Sequence, residues 1–333
     1  MEKIGKQTIR FDNPPTISEC ASIVGPKEAQ GPLAKYFDQT LDDEFWGEKT
    51  WEKAESKIIK ETVNTVITKS GIPASEIDCM FAGDLLNQCI SSSFGLRDVG
   101  IPFFGVFGAC STFVESMSLG AIAIESFAKN VLCATSSHFC SAEKQFRFPL
   151  ELGNQRPPTS QWTVTGSGAA ILSKDGTGPY ITHITPGKII DMGIKDANNM
   201  GAAMAPAFCD TLITHFIDTG RSPNYYDVIL SGDLGHIGKS IAIDIAKSQG
   251  YNIKSNYNDC GVLIFDKNAQ DTHSGGSGCA CCGTVFSGYF FKQLKERKIK
   301  KVLLIATGAL MNSTSSQQGE SIPGIAHAIS IEL

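Results

Sequence analysis

Cys110 closes the apolar run Ile101 to Ala109 and stands directly before a small-residue helical pattern, Ser111 to Ser126. That order places a thiol at a strand-to-helix turn. The first N–H groups of a helix have no partner within it and its dipole is positive there, so a thiolate or a bound carboxylate is stabilised at such a spot. Gly105, Gly108, Ala109 and Ser111 are small enough to let backbone approach a ligand, as a nucleophile elbow requires. The same pattern also fits a buried core cysteine. In the run Ser231-Gly-Asp-Leu-Gly-His236 the imidazole reads either as a structural histidine or as a ligand group, with Asp233 three residues away and able to orient its ring. A third set ends the apolar strand pattern Val131 to Thr135: Ser136 and Ser137 offer hydroxyl donors or satisfy turn backbone, and His138 follows them.

These groups need elements to hold them, and the chain repeats its elements. The segment Ser70 to Leu85 has the form of Thr219 to Leu234: a helix end, a Gly/Pro turn, and a short strand closing on Gly-Asp-Leu. Helical patterns precede both, at Trp51 to Lys69 and at Met204 to Asp218. Further on, Gly108-Ala-Cys-Ser opens a helix leading to the strand Val131 to Ser136, and Cys279-Ala-Cys-Cys-Gly283 opens one leading to Val302 to Gly308. Cys281 is read as the counterpart of Cys110. Self-similarity at half-chain distance marks a duplicated α/β unit. The Gly/Pro cluster before Pro179 divides it into residues 1–176, carrying the cysteine turn, and 177–333, carrying His236 and the Gly-rich helix entry. Residues 139–163 lack periodicity and read as a loop excursion, with Lys144 and Arg147 available to neutralise carboxylates if it folds over a pocket. Asp84 and Asp233 close the equivalent motifs, a placement usual for turn and cap residues.

Composition limits what this unit can be. With 42% apolar and 19% charged residues the chain is an ordinary globular protein, and a net charge of −5 argues against nucleic acid as a partner. The basic stretch Lys292 to Lys301 reads as the solvated face of a helix. The polar start Met1 to Lys6 is unlike a signal segment, and no uncharged run of about twenty apolar residues is found, so membrane association is expected to run through a partner. The eleven cysteines follow no disulfide spacing and are expected to be reduced; Cys279, Cys281 and Cys282 lack the second pair that a zinc site needs.

A cysteine turn in a duplicated α/β chain, the Gly-Asp-Leu-Gly-His236 element and the Gly-rich entry Gly275 to Gly283 together resemble the thiolase superfamily. More narrowly, the runs Ile4 to Phe11, Ser136 to Phe148 and Ala306 to Asn312 resemble the stage V sporulation protein AD family of spore-forming bacteria. The resemblance implies a thiolase-like five-layered αβαβα fold made of two duplicated halves. It implies a protein that binds dipicolinic acid (pyridine-2,6-dicarboxylate) while this is loaded into the developing spore, at the inner membrane and together with the other SpoVA membrane proteins. No cofactor and no reaction of its own is implied, and whether calcium accompanies the ligand stays open. The ligand would lie at Cys110, Ser136 and His236, with Ser137, His138 and Asp233 beside them. By analogy the chain is a homodimer pairing through the strand at Val131 to Thr135.

The rival is an acyl-transferring condensing enzyme that uses Cys110 covalently with His236 as its imidazole. Such enzymes complete an oxyanion hole with an Asn, or a His-Pro and second Cys, at the Gly-rich entry. Here the stretch Thr272 to Gly283 contains no Asn, and His273 is followed by Ser274. That departure favours binding over condensation. A scaffold with a vestigial pocket is the remaining alternative.

Overall fold

In the computed structural model, which describes residues 1–146 and 155–333, each half contributes five strands to the main path of one continuous sheet. The first half supplies β1 (Thr16–Val24), α1 (Trp51–Ser70), β2 (Cys79–Gly83), α2 (Ile90–Leu96), β3 (Phe103–Gly105), α3 (Thr112–Ser126) and β4 (Asn130–Ser137). It continues with α4 (Phe139–Phe146), β5 (Trp162–Thr163) and β6 (Gly166–Ser173). The second half supplies β7 (Tyr180–Thr185), α5 (Met200–Thr219), β8 (Val228–Ser231), α6 (Gly235–Ser248), β9 (Tyr257–Asp259), β10 (Gly276–Ser277), α7 (Cys279–Val285), β11 (Lys301–Ala309) and β12 (Gly324–Glu332).

From the centre outward, the strands run β1-β6-β4-β2-β3 in one half and β7-β12-β11-β8-β9 in the other. The pairing repeats as well. The outer strands are parallel (β4 with β2, β2 with β3; β11 with β8, β8 with β9) and the inner ones antiparallel. At the centre the halves meet where Tyr180 pairs with Thr16, and the N-terminal segment adds pairings of His183 with Arg10 and Ile184 with Ile9. The twin turns read from sequence are present: α1 ends at Gly71 (φ +69°) and α5 at Gly220 (φ +66°), left-handed positions where a Cβ would be strained.

Layering follows from what each helix can bury. Phe113, Val114, Met117, Ala121 and Ile124 of α3 are all buried, and the helix is apolar nearly all round, as an element packed on both sides must be. It contacts β4 and β2 of its own half and β11 and β12 of the other, while α7 lies beside it against β6 and β4. Their side chains form one central core between the two half-sheets. A second core lies under α1 on the outer face of the first half-sheet, and a third under α5 and α6 on the outer face of the second. The result is helix, sheet, helix, sheet, helix. Every residue of β4 and β6 is buried, which accounts for their near-continuous apolar and small-residue runs.

Two sequence expectations change here. Residues 139–146, read as loop, form α4; Arg147 lies outside the described residues, and Lys144 pairs with Glu52 at 3.2 Å on the surface. The strand Val131 to Thr135 sits inside the sheet, hydrogen-bonded to β2 on one side and β6 on the other, so its backbone cannot pair with a second copy. The helix α5 is long and apolar enough by composition to cross a membrane, but most of it is buried, with contacts to β11, β12 and α6.

Candidate functional site

The elbow at Cys110 is built by local hydrogen bonds. Ala109 adopts φ +50°, a left-handed conformation that a side chain makes costly. The turn is held by Ser111 Oγ donating to the Gly108 carbonyl (2.7 Å) and by Thr112 Oγ1, which donates to the Ala109 carbonyl (2.6 Å) and accepts from Gly108 N (3.1 Å). From the other half, Gly308 of β11 lies so close that a Cβ there would stand 2.3 Å from the Gly108 carbonyl oxygen. The two halves therefore meet at this turn, and Cys110 lines a cavity between them.

The cavity is narrow: the space open to the centre of a water molecule is ≈ 40 Å³. Leu85, Ala142, Phe146, Met200, Ala309 and Met311 make most of its wall, and Phe107 stands at the rim, exposed. Its polar groups are Cys110, Glu143, Thr163 and Ser277. Thr163 and Ser277 lie side by side because β5 and β10 form a two-stranded parallel ribbon that pairs them. Each hydroxyl is committed to an acid: Thr163 Oγ1 donates to Glu143 Oε1 (3.2 Å) and Ser277 Oγ to Asp233 Oδ2 (3.1 Å). Asp233 also accepts from Gly278 N (3.1 Å) and Thr307 Oγ1 (2.8 Å), so its carboxyl group is fully engaged while buried.

This arrangement reverses the charge expected at the turn. Cys110 Sγ lies 3.9 Å from Ser277 Oγ, at the start of a chain of donors that ends on Asp233. Burial, followed by the negative charge of Asp233, pushes the Cys110 thiol well above its ordinary pKa. Burial raises Asp233 itself to about 7. A helix N-terminus contributes at most about 2 kcal/mol to an adjacent anion, too little to offset desolvation of a thiolate with an acid beside it. Cys110 is a thiol, not a thiolate.

Of the residues singled out in the sequence, Cys110 and Asp233 are brought together; the others are placed elsewhere. His236 lies on an open surface depression with Lys267, Asp271 and His273, and is absent from the lining of the Cys110 cavity. It follows Gly235 into α6, and its backbone N–H is bound to the Ser274 carbonyl (2.7 Å). Ser136 donates to Glu55 Oε1 (3.0 Å) and Ser137 to the Val164 carbonyl (2.7 Å), both fully buried behind the cavity wall. His138 Nε2 is bound to the Glu44 carbonyl (2.8 Å). Asp84 accepts from Leu86 N (2.8 Å) and from Ser92 N (2.7 Å), the turn role expected of it.

Sequence reasoning missed Ser277, Thr163, Glu143 and Thr307. For Ser277 a signal existed. It stands two residues before α7 as Cys110 stands two residues before α3, so register makes Ser277, not Cys281, the counterpart of Cys110. Cys281 is buried in the central core. Glu143 was hidden by reading α4 as loop.

A family model, stage V sporulation protein AD (SpoVAD), matches residues 5–332. The stage V sporulation protein AD of Bacillus subtilis (strain 168) is 44% identical over 333 residues, covering 100% of this chain and 98% of the relative. Among solved structures, 3-oxoacyl-[acyl-carrier-protein] synthase III from Aquifex aeolicus VF5 aligns with a TM-score of 0.58 at 12% identity, covering 96% of this chain and all of the synthase. A histidine-to-asparagine variant of Xanthomonas campestris OleA with cerulenin aligns with a TM-score of 0.62 at 12% identity, covering 98% of each chain. These two likenesses establish the fold, thiolase-like, and concern proteins whose sequences have diverged far from this one. On the family match and the full-length relative, the chain belongs to the stage V sporulation protein AD family.

Proposed function

We propose that the chain binds dipicolinic acid in the Cys110 cavity without transforming it, and acts in sporulation by handing this ligand to or from the SpoVA membrane proteins. The observation that carries the binding reading is geometric: Cys110 is buried 3.9 Å from Ser277 Oγ, which is bound to Asp233, in a cavity whose described lining includes no imidazole. A condensing enzyme needs a thiolate and a group to move its proton. The cavity supplies a mostly apolar wall instead, with the thiol of Cys110, the hydroxyls of Thr163 and Ser277 and the carboxyl of Glu143 among its lining. A calcium ion carried by the ligand would meet Glu143 on the wall. Association with the spore inner membrane is peripheral in this reading and depends on the partner proteins.

The charge state of Asp233 gives the test. Its pKa near 7 means that lowering the pH through neutrality removes a negative charge beside the ligand, whose own carboxylates stay ionised over this range. Calorimetric titration is expected to show dipicolinate binding about tenfold tighter at pH 6 than at pH 8. Asp233→Asn should bind with little pH dependence. Equal wild-type affinities at both pH values would remove Asp233 from the site's chemistry, and no heat at about 1 mM ligand would end the binding reading.

The homodimer is proposed through a different strand from the one read in sequence. The free edge of the first half-sheet is β3, all three of whose residues are exposed, Phe103 (38% exposed) and Phe104 (52%) among them. An apolar edge with unpaired backbone is a pairing surface unless a second copy covers it. Light scattering should find a dimer for the wild type and a monomer for Phe104→Asp; a monomeric wild type at about 100 µM contradicts it.

A further inference from the structure

Trp162 and Thr163 are neighbours on β5, so their side chains leave opposite faces of the β5–β10 ribbon. Thr163 lines the Cys110 cavity and Trp162 does not. One face of the Trp162 ring is covered by Phe139 of α4, with centroids 3.6 Å apart and planes 4° from parallel. Two cations approach the same ring: Lys27 Nζ at 3.9 Å and Arg156 Cζ at 4.8 Å from its centroid. Since Phe139 fills one face, both cations lie on the other.

Two positive charges sharing one aromatic face repel each other, and burial makes this worse. Lys27 has its pKa lowered, first by burial and then by Arg156. The quadrupole of a single ring attracts each cation weakly and supplies no hydrogen-bond acceptors. The donors around the ring are correspondingly idle. Arg156 gives Nη2 to the Asp271 carbonyl (2.9 Å) and to Asp271 Oδ1 (3.1 Å), which leaves its other amino group; among the described residues Arg156 Nη1 is buried with no hydrogen-bond partner. Trp162 Nε1 is likewise buried and unpartnered, and among the described residues Lys27 Nζ has no hydrogen bond or ion pair. Buried polar groups are paired in more than about nine cases in ten, so the two buried idle donors, Arg156 Nη1 and Trp162 Nε1, call for an acceptor, and the half-exposed Lys27 ammonium beside them favours one that carries negative charge.

We infer that Lys27, Arg156 and Trp162 form an oxyanion-binding site, distinct from the Cys110 cavity and on the opposite face of the ribbon that floors it. It takes a carboxylate or phosphate group of a small molecule, held by Arg156 Nη1 and Lys27 Nζ with Trp162 Nε1 as a third donor. The acids nearby define its limits. Asp271 occupies one edge of Arg156 and is itself 74% exposed, while Glu28 and Glu44 face Lys27 only at range, without an ion pair.

The test is titration of the full chain with inorganic phosphate and, separately, with glutarate, followed by calorimetry and by fluorescence of Trp162 in a Trp46→Phe/Trp51→Phe background. Saturable binding at one site per chain is expected below about 5 mM for at least one of the two anions, weakened at least about tenfold by Lys27→Gln and by Arg156→Gln. Whichever anion binds more tightly identifies the group. Lys27→Gln removes no hydrogen bond of the Nζ group, so its fold is not at risk, and urea melts check Arg156→Gln. The same binding should survive Ala142→Phe, which fills the cavity, so failure here and failure of dipicolinate binding are read separately. No saturable binding, or binding that both charge variants leave unchanged, overturns the inference.

Discussion

Ala142→Phe is expected to weaken dipicolinate binding by more than about 100-fold, whereas Cys110→Ser should leave it within about threefold. Ala142 is 2% exposed on α4 and forms part of the cavity wall, so a phenyl ring there occupies the space a flat ligand needs. The cost falls on the ligand, since α4 packs against the small β5 ribbon and lies at the edge of the fold, away from the three main cores. Cys110→Ser keeps a small donor at the position 3.9 Å from Ser277 Oγ and removes the one group able to form a thioester there. The two variants together separate a binding wall from a nucleophile. Intact mass after incubation with acetyl-CoA or a longer acyl-CoA supplies the other arm: an acyl adduct on wild type that Cys110→Ser abolishes, with product formed, would establish the condensing reading instead.

Stability should fall as pH rises from about 6.5 to 8.5, by on the order of 2–4 kcal/mol, read as a lower urea midpoint. Burial raises Glu28 to about 8 and Asp233 to about 7, and burial followed by the charge of Asp84 raises Glu55 to about 8. A carboxyl group with a raised pKa keeps in the folded chain a proton that the unfolded chain has already released. The folded state then holds more protons, and stability declines with pH between the unfolded and folded values. Histidines act in the opposite sense lower down. Burial depresses His183 and His327 to about 4 and His215 to about 3, so these favour folding as pH rises towards the ordinary imidazole value and add little beyond it. Above that value the buried acids carry the trend. Glu55→Gln keeps an acceptor for one of the Ser136 and Ser141 hydroxyls, presents an amide donor to the other, and should flatten the decline; a midpoint unchanged or higher at the alkaline end would contradict the assignment.

Much of the architecture was legible because it rests on local signals. The helix of Trp51 to Lys69 and its echo near Met204 to Asp218 appear as α1 and α5 with the same left-handed glycine caps, and the Cys110 turn leads into α3 as its small residues require. Repetition made the halves visible, since each must bury the same helix faces against the same strands. The short elements were not legible. β5 and β10 are two residues each, and α4 has only eight, with Cys140 and Ala142 among polar residues between Phe139 and Phe146, so each is too short for a period to stand out. Yet these three elements carry Thr163, Ser277 and Glu143 into the cavity.

Sequence alone was enough for the duplicated α/β order and the elbow at Cys110, because periodicity, turn residues and motif spacing are properties of neighbouring residues; the family followed from resemblance to related sequences. Sequence was not enough to say which groups share a site. Asp233 and His236 are three residues apart, and only the start of α6 between them decides that Asp233 faces Cys110 while His236 faces an outer depression. Whether Cys110 is charged was equally undetermined, since a helix start favours a thiolate and burial beside an acid forbids it. That balance depends on dielectric surroundings and on contacts between residues far apart in the chain, such as Cys110 and Ser277, which exist only once the two halves have closed on each other.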